Sequence, residues 1–423
     1  MSQKVAKTGQ AIAVLLIVLM ILRINSYFMI SENATITRVF KTGLRCLLTG
    51  TSILLVMLWN DPKRPTRFVY KNILALFFYL MYLFIGFASI LWSSDQAWSA
   101  LQIAMDIECI VFVIWYWKAF LIFNEQPRWT HTITLDYILW VSIVWVAISF
   151  LIGAIVNPDL FFRGTHGGEV QRLGGWIINP NEMGMLMTVG AGMLYTNIVR
   201  TNISIWKVLG WLMIVLALVL TQSRSSMISF FLTTMYFVMS SGKAKLIIPT
   251  LVTGALVAPI VFFKIFVKEG DVGEVMSMTG RIPFWGDLLT YGFTEKPLFG
   301  FGFMRIHHFH NFPSIHSYPG SMTHNTFLQV LLNLGIAGAL ATFFNMVFVF
   351  KAWFREKKSI IKHTGVGIFI GIFINSLTEF GIFGDANYGI MWWLFIIMVY
   401  VISAEAPKPE RYTPIYGKQA LRN

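Results

Sequence analysis

Apolar runs of 17 to 26 residues recur along the whole chain, joined by short connections that hold most of its basic residues. A helix crosses the roughly 30 Å of bilayer hydrocarbon in about 20 residues, so each run matches one crossing. Inside lipid every backbone N–H and C=O must be bonded within its own segment, which makes helices the expected form. Composition agrees: 56% of residues are apolar and 13% are charged, against about 25% charged in a soluble domain. Mean hydropathy is +0.65. The expected fold class is all-α, a polytopic membrane protein of about twelve transmembrane helices.

The spans are expected near 11–29, 44–60, 71–92, 99–122, 135–156, 174–197, 204–221, 224–240, 245–264, 325–350, 363–383 and 388–404. The first follows Lys4 and Lys7 and lacks a small-residue cleavage site, so it reads as an uncleaved span rather than a removed signal. With both ends cytoplasmic, the inner connections hold most of the Lys and Arg, among them Lys63, Arg67, Lys71, Lys118, Arg200, Lys207 and Lys358. The short outer ones hold only Arg38, Lys41, Arg45, Arg163, Arg172 and Arg224. That bias fixes the expected topology. It also explains the net charge of +13 as a set of orientation signals, and nucleic acid is excluded as a partner. Cys46 and Cys109 lie inside apolar runs, so no disulfide framework is expected. Residues 1–423 read as a single membrane domain without internal repeats.

One long polar stretch, between Phe266 and Phe327, breaks this pattern and forms an expected outer loop over 265–322. It carries Arg281, Asp287 and Arg305, and His307, His308, His310 and His316, with His324 at its end. The close spacing of His307, His308 and His310 lacks the i, i+4 arrangement and the carboxylate of a helical zinc site, so no metal is expected there. Neither a phosphate-binding loop nor a dinucleotide fingerprint is present.

Four expected outer segments each bring a cation, amide or imidazole to the same membrane face. Arg163 and Arg172 flank a Gly-rich stretch that leads to Trp176 and Asn179-Pro180-Asn181. Thr221-Gln222-Ser223-Arg224 turns between two spans, Thr279-Gly280-Arg281 precedes Phe284-Trp285, and Thr323-His324-Asn325 opens a returning helix. An arginine at a membrane boundary either snorkels to water or binds an anion. Two guanidinium forks converging suit a pyrophosphate. His324 is the natural proton acceptor near neutral pH, with helix capping the alternative, and Thr323 is the expected N-cap. Asp106 and Glu108 inside the fourth span, and Glu379 near the end of the eleventh, are expected to pair structurally, one of them with Arg23.

Together Asn179-Pro180-Asn181, LTQSR ending at Arg224, TGR ending at Arg281 with Trp285 and PLFGFGF after it, and HNTFLQVLLNLGIAG from His324 resemble the O-antigen ligase/polymerase superfamily of bacterial surface-glycan enzymes. The resemblance covers roughly residues 160–345. It implies a metal-independent glycosyltransferase of the inner membrane that takes a glycan from undecaprenyl pyrophosphate at the periplasmic face, with no cofactor. Arg224 and Arg281 would hold the pyrophosphate and His324 would activate the acceptor hydroxyl. Arg172, Asn179, Asn181, Arg163, Asn325 and Trp285 would line the substrate. The TGR, Trp and PLFGFGF pattern looks more like the O-antigen or exopolysaccharide polymerases. The alternatives are a ligase acting on lipid A–core and a transporter of the lipid-linked glycan. A chain-length regulator or flippase would be the protein partners.

Overall fold

The computed structural model describes residues 3–63, 65–125, 132–165, 170–240, 281–303, 323–379, 381–384 and 387–405. The expected span at 245–264 and the residues Arg305, His307, His308, His310 and His316 lie outside them. The helices are α1 (Gln3–Asn25), α2 (Ala34–Trp59), α3 (Ile73–Ala88), α4 (Gln96–Glu125), α5 (Leu135–Val156), the short α6 (Pro158–Phe161), α7 (Pro180–Arg200), α8 (Ile205–Thr221) and α9 (Arg224–Ser240). After the undescribed stretch come α10 (Arg281–Asp287), a π-helical turn (Leu288–Phe293), α11 (Thr326–Arg355), α12 (Ser359–Ser376) and α13 (Tyr388–Val401). Six described helices are long and apolar enough to cross a membrane, and stretches within α1, α8 and α13 are shorter apolar helices. The molecule is therefore a mostly helical multi-pass membrane protein.

The bundle's exterior is greasy where a water-soluble protein's would be polar. Leu91 and Ile155 are more than 80% exposed, and Phe84, Trp206 and Phe354 at least 70%. Lipid tails solvate such faces; water does not. At the centre, α13 is buried on nearly every side, with Trp392 and Trp393 fully enclosed, as expected of a helix apolar all round. Helix α7 packs against α5, α8, α9 and α12, and α11 against α3. Small residues allow the closest approach: a Cβ at Gly192 of α7 would meet Gly367 of α12 at 2.3 Å.

Two short two-stranded sheets mark the ends of the bundle. β1 (Arg67–Tyr70) pairs antiparallel with β4 (Ile402–Glu405), joining the α2–α3 connection to the exit of α13. β2 (Phe162–Thr165) pairs antiparallel with β3 (Val170–Leu173) just ahead of α7. The first pair ties together two chain segments far apart in sequence, and the second is a hairpin.

Several expected boundaries move. The second span starts at Ala34 rather than 44, capped by Asn33, so Arg38, Lys41 and Arg45 lie in a helix and not in an outer loop. Arg45 is tolerated there because its guanidinium packs on the Tyr27 ring, 4.0 Å from the centroid. The sixth span starts at Pro180 rather than 174, because Asn179 caps it and Pro180 takes its first position. The eleventh ends at Ser376, which leaves Glu379 beyond the helix.

Helix α11 is broken. Gly335 has φ 60° and ψ −157°, and the PLFGFGF segment fills the gap. Phe301 and Gly302 donate backbone bonds to Leu332 and Asn333 (both 2.9 Å), while Ile336 and Ala337 donate to Pro297 (2.9 Å) and Leu298 (3.2 Å). Such a break survives at membrane depth only when other protein backbone satisfies it.

The expected pairing of Arg23 with an intramembrane acid is present: Arg23 meets Glu108 through two bonds of 2.7 and 2.8 Å, and Thr49 donates to the same carboxylate. Asp106 is buried on the same helix. Because Arg23 is fully enclosed, Glu108→Ala should leave a stranded charge and cost about 3–5 kcal/mol, whereas Arg23→Met with Glu108→Leu should restore much of the loss. Thermal melts of the detergent-solubilised variants would read both outcomes.

Candidate active site

Six backbone elements meet at the end of the bundle opposite β1 and β4. Asn179 accepts from the Asn181 backbone N–H, and with Pro180 it fixes where α7 begins, so Asn181 rides on its first turn. Gln222, in the left-handed region at φ 49°, turns the chain sharply so that Arg224 becomes the first residue of α9. Asn325, rather than Thr323, caps α11 by accepting from Phe327 and Leu328. The Thr323 hydroxyl instead donates to the Asn325 carbonyl at 2.7 Å.

His324 sits immediately before that cap with φ 50°. A left-handed histidine is unfavourable by the order of 1 kcal/mol and persists only where its surroundings hold it. The holding contact is Glu379, whose carboxylate accepts from His324 Nδ1 at 3.0 Å through one oxygen. Its other oxygen accepts from Arg281 Nη2 at 2.9 Å and Asn181 Nδ2 at 2.7 Å. Arg281 also donates to the Thr378 carbonyl, and Trp285 Nε1 donates to the Thr323 carbonyl at 2.7 Å. Thr326 and Asn325 fasten α11 to the carbonyls of Glu379 and Leu377 at 3.1 Å each.

Exposure divides the roles. The Glu379 side chain is 6% exposed, while Arg281 keeps 18% and His324 keeps 20%. A carboxylate sealed in this way orients its partners; the partners can reach a ligand. Burial alone would raise the Glu379 pKa, but the His324 hydrogen bond and charge, with the Arg281 guanidinium behind them, outweigh it and hold the carboxyl at about 2. An ionised Glu379 accepts from Nδ1–H and so fixes how the ring is oriented, with Nε2 as the other ring nitrogen.

Arg172 extends the cluster. Its Nη2 donates to Asn181 Oδ1 at 2.6 Å and its Nε to the Thr221 carbonyl at 2.9 Å, which ties β3 to α7 and α8. Burial, and the nearby Arg163, Arg224 and Arg281, lower its pKa to about 10 despite the opposing pull of Glu379. Arg224 is half-buried, and its neighbours Ser225 and Ser226 both donate to Asn375 Oδ1 at 3.3 Å, beside the end of α12. Arginines at 163, 172, 224 and 281, from three separate stretches of the chain, thus face one region that also holds the Glu379 carboxylate.

The structure therefore brings together Arg172, Asn181, Arg224, Arg281 and His324. It assigns Asn179 and Asn325 to helix caps and Trp285 to a backbone tie. Arg163 is exposed on β2, at the rim. Glu379 is the member that motif reading treated only as a structural acid. Hydropathy placed it inside a span, although the helix ends three residues before it.

Comparison with known proteins agrees with the motif resemblance. The O-antigen ligase family model matches residues 208–343, from α8 through the first half of α11. The ComP-specific O-oligosaccharyltransferase of Acinetobacter baylyi (strain ATCC 33305 / BD413 / ADP1) is 26% identical over 309 residues, 66% of this chain. That match spans 54% of the relative's own length. Both findings support the O-antigen ligase superfamily, whose members transfer glycans in surface-glycan biosynthesis.

The depressed Glu379 pKa has a sign. The carboxyl titrates near 4.5 when unfolded and about 2 when folded, so its stabilisation is complete above 4.5 and drains away as pH falls from 4.5 towards 2. The shift corresponds to something on the order of 3 kcal/mol. Wild type should exceed Glu379→Gln in thermal stability at pH 7 by a margin that shrinks steadily below pH 4.5. A pH series of melts on both proteins checks it.

Proposed function

We propose that this chain transfers a glycan from a polyprenyl-pyrophosphate donor to an acceptor hydroxyl at the periplasmic face of the bacterial inner membrane. In this reading both termini are cytoplasmic, about twelve helices cross the bilayer and 265–322 lies outside. Metal and cofactor take no part. The observation that carries it is the joining of His324 and Arg281 through Glu379, with the Arg172 and Arg224 charges close by. An imidazole with an oriented ring beside several guanidiniums is what attack by a hydroxyl and departure of a pyrophosphate both require.

His324 Nε2 takes the proton from the acceptor hydroxyl as its oxygen attacks the anomeric carbon. The bond from that carbon to the pyrophosphate oxygen breaks, and its electron pair leaves with the pyrophosphate. Arg224 and Arg281 hold that group and stabilise the charge growing on it. Arg281 donates to Glu379 and Thr378, which fixes the direction of its guanidinium fork. With one base and no covalent nucleophile, the anomeric configuration inverts.

The donor half is common to the polymerase, ligase and oligosaccharyltransferase readings of this chain. The acceptor separates them: the end of a growing glycan, lipid A–core, or a protein hydroxyl. Purified protein in liposomes with a lipid-linked oligosaccharide and each acceptor in turn is the test. His324→Ala should lose roughly 10²- to 10⁴-fold in turnover while still binding donor. Arg224→Ala and Arg281→Ala should weaken donor binding as well. Movement of glycan across the vesicle with no new glycosidic bond would replace this reading with transport.

A further inference from the structure

Trp176 stands on the outer surface beside the active site, 59% exposed, on a turn built to hold it there. Gly174 (φ 125°) and Gly175 (φ 59°) are both left-handed. A Cβ on Gly175 would come within 2.1 Å of the Leu160 carbonyl, so the turn accepts no larger residue. Backbone bonds from Gly174 to Phe161 (3.0 Å), Trp176 to Leu160 (3.3 Å) and Ile178 to Gly174 (3.1 Å) pin it on both sides.

Arg163 lies over the indole with its guanidinium carbon 5.2 Å from the ring centroid. In the hairpin register Arg163 stands directly opposite Arg172. Directly opposed residues share a face of the sheet, and like charges placed so are unfavourable. A pinned aromatic surface, a cation stacked on it and a second cation opposite that reaches Asn181 of the active site make a composite platform. Its aromatic part suits the apolar C–H face of a sugar ring, and its charge suits an anion on that ring. A tryptophan serving only as an interfacial anchor would fit the aromatic part but would not need two arginines opposed across a hairpin.

We propose that Trp176 and Arg163 form a saccharide subsite at the mouth of the active site, specific for a sugar residue bearing an anionic group. The inference rests on the glycan-transfer reading for its purpose, not for its geometry. Trp176 stacks on the ring, Arg163 pairs with the anion, and Arg172 hands the chain on towards His324.

The test uses the full-length protein and two probes: a lipid-linked oligosaccharide containing a uronic acid, and its carboxyl-reduced counterpart. Arg163→Ala should raise KM for the acidic donor roughly tenfold, the loss of one charge-assisted hydrogen bond, and leave the reduced donor nearly unchanged. Trp176→Ala should raise KM for both, and Trp176→Phe should recover most of that loss. An equal effect of Arg163→Ala on both donors, or an unchanged KM with a lowered melting temperature in Trp176→Ala, would overturn the subsite. Binding of the free acidic oligosaccharide, followed by saturation-transfer NMR, separates the two readings. Wild type that binds it through Trp176 and Arg163 yet forms no bond refutes transfer and keeps the subsite. Wild type that transfers glycan but loses no free-saccharide signal on either substitution keeps transfer and refutes the subsite.

Discussion

One sealed carboxylate, Glu379, organises the end of the bundle opposite β1 and β4 among the described residues. Glu379 gathers Asn181 from α7, Arg281 from α10 and His324 from the threshold of α11, partners 198, 98 and 55 residues away in the chain. Its charge opposes the mutual repulsion of Arg163, Arg172, Arg224 and Arg281. A buried carboxylate is expensive to desolvate, and it survives here as an anion because three donors reach it. The arrangement resembles the general logic of a base held by an acid, in which the outer partner fixes ring orientation and tautomer while the ring does the proton transfer.

The same carboxylate binds fold and chemistry together. Helix starts set by Asn179 with Pro180, and by Asn325, are ordinary capping devices, yet they place Asn181 and His324 at the turns where Glu379 can reach them. The left-handed backbone at Gln222 and His324 marks two points where local preference yields to the site. Both lie at the junctions of helices, where a few residues can be strained without unsettling the lipid-facing body of the bundle.

Much of this was legible from the residues alone, and the reasons differ by element. The helices at 135–156, 204–221 and 224–240 were read to within a residue or so, because each runs cleanly between polar or charged breaks. The second span was read short, because three basic residues at 38, 41 and 45 look like a loop until Tyr27 is seen to cover one of them. Arg224, Arg281 and His324 were legible because cations and imidazoles are conspicuous against an apolar background. Glu379 was visible and its pairing expected, but it was placed inside a span and its partners were not readable. Nothing in a hydropathy trace reports that α12 stops at Ser376, and nothing in the order of residues reports which cations a lone acid will meet. The pairing of Arg163 with Trp176 was hidden for the same reason, since it depends on hairpin register.

The break in α11 has a mechanical consequence. Pro297 to Gly302 is stitched to the interrupted turn by backbone bonds at a depth where water cannot substitute for them. Phe284 and Leu288, just after Arg281, share a small apolar cluster with Phe301 and Leu332 of that seam. Arg281 and His324 are consequently mounted on one packed frame. In the proposed reaction clamp and base then move together, and entry of the donor falls to what surrounds that frame.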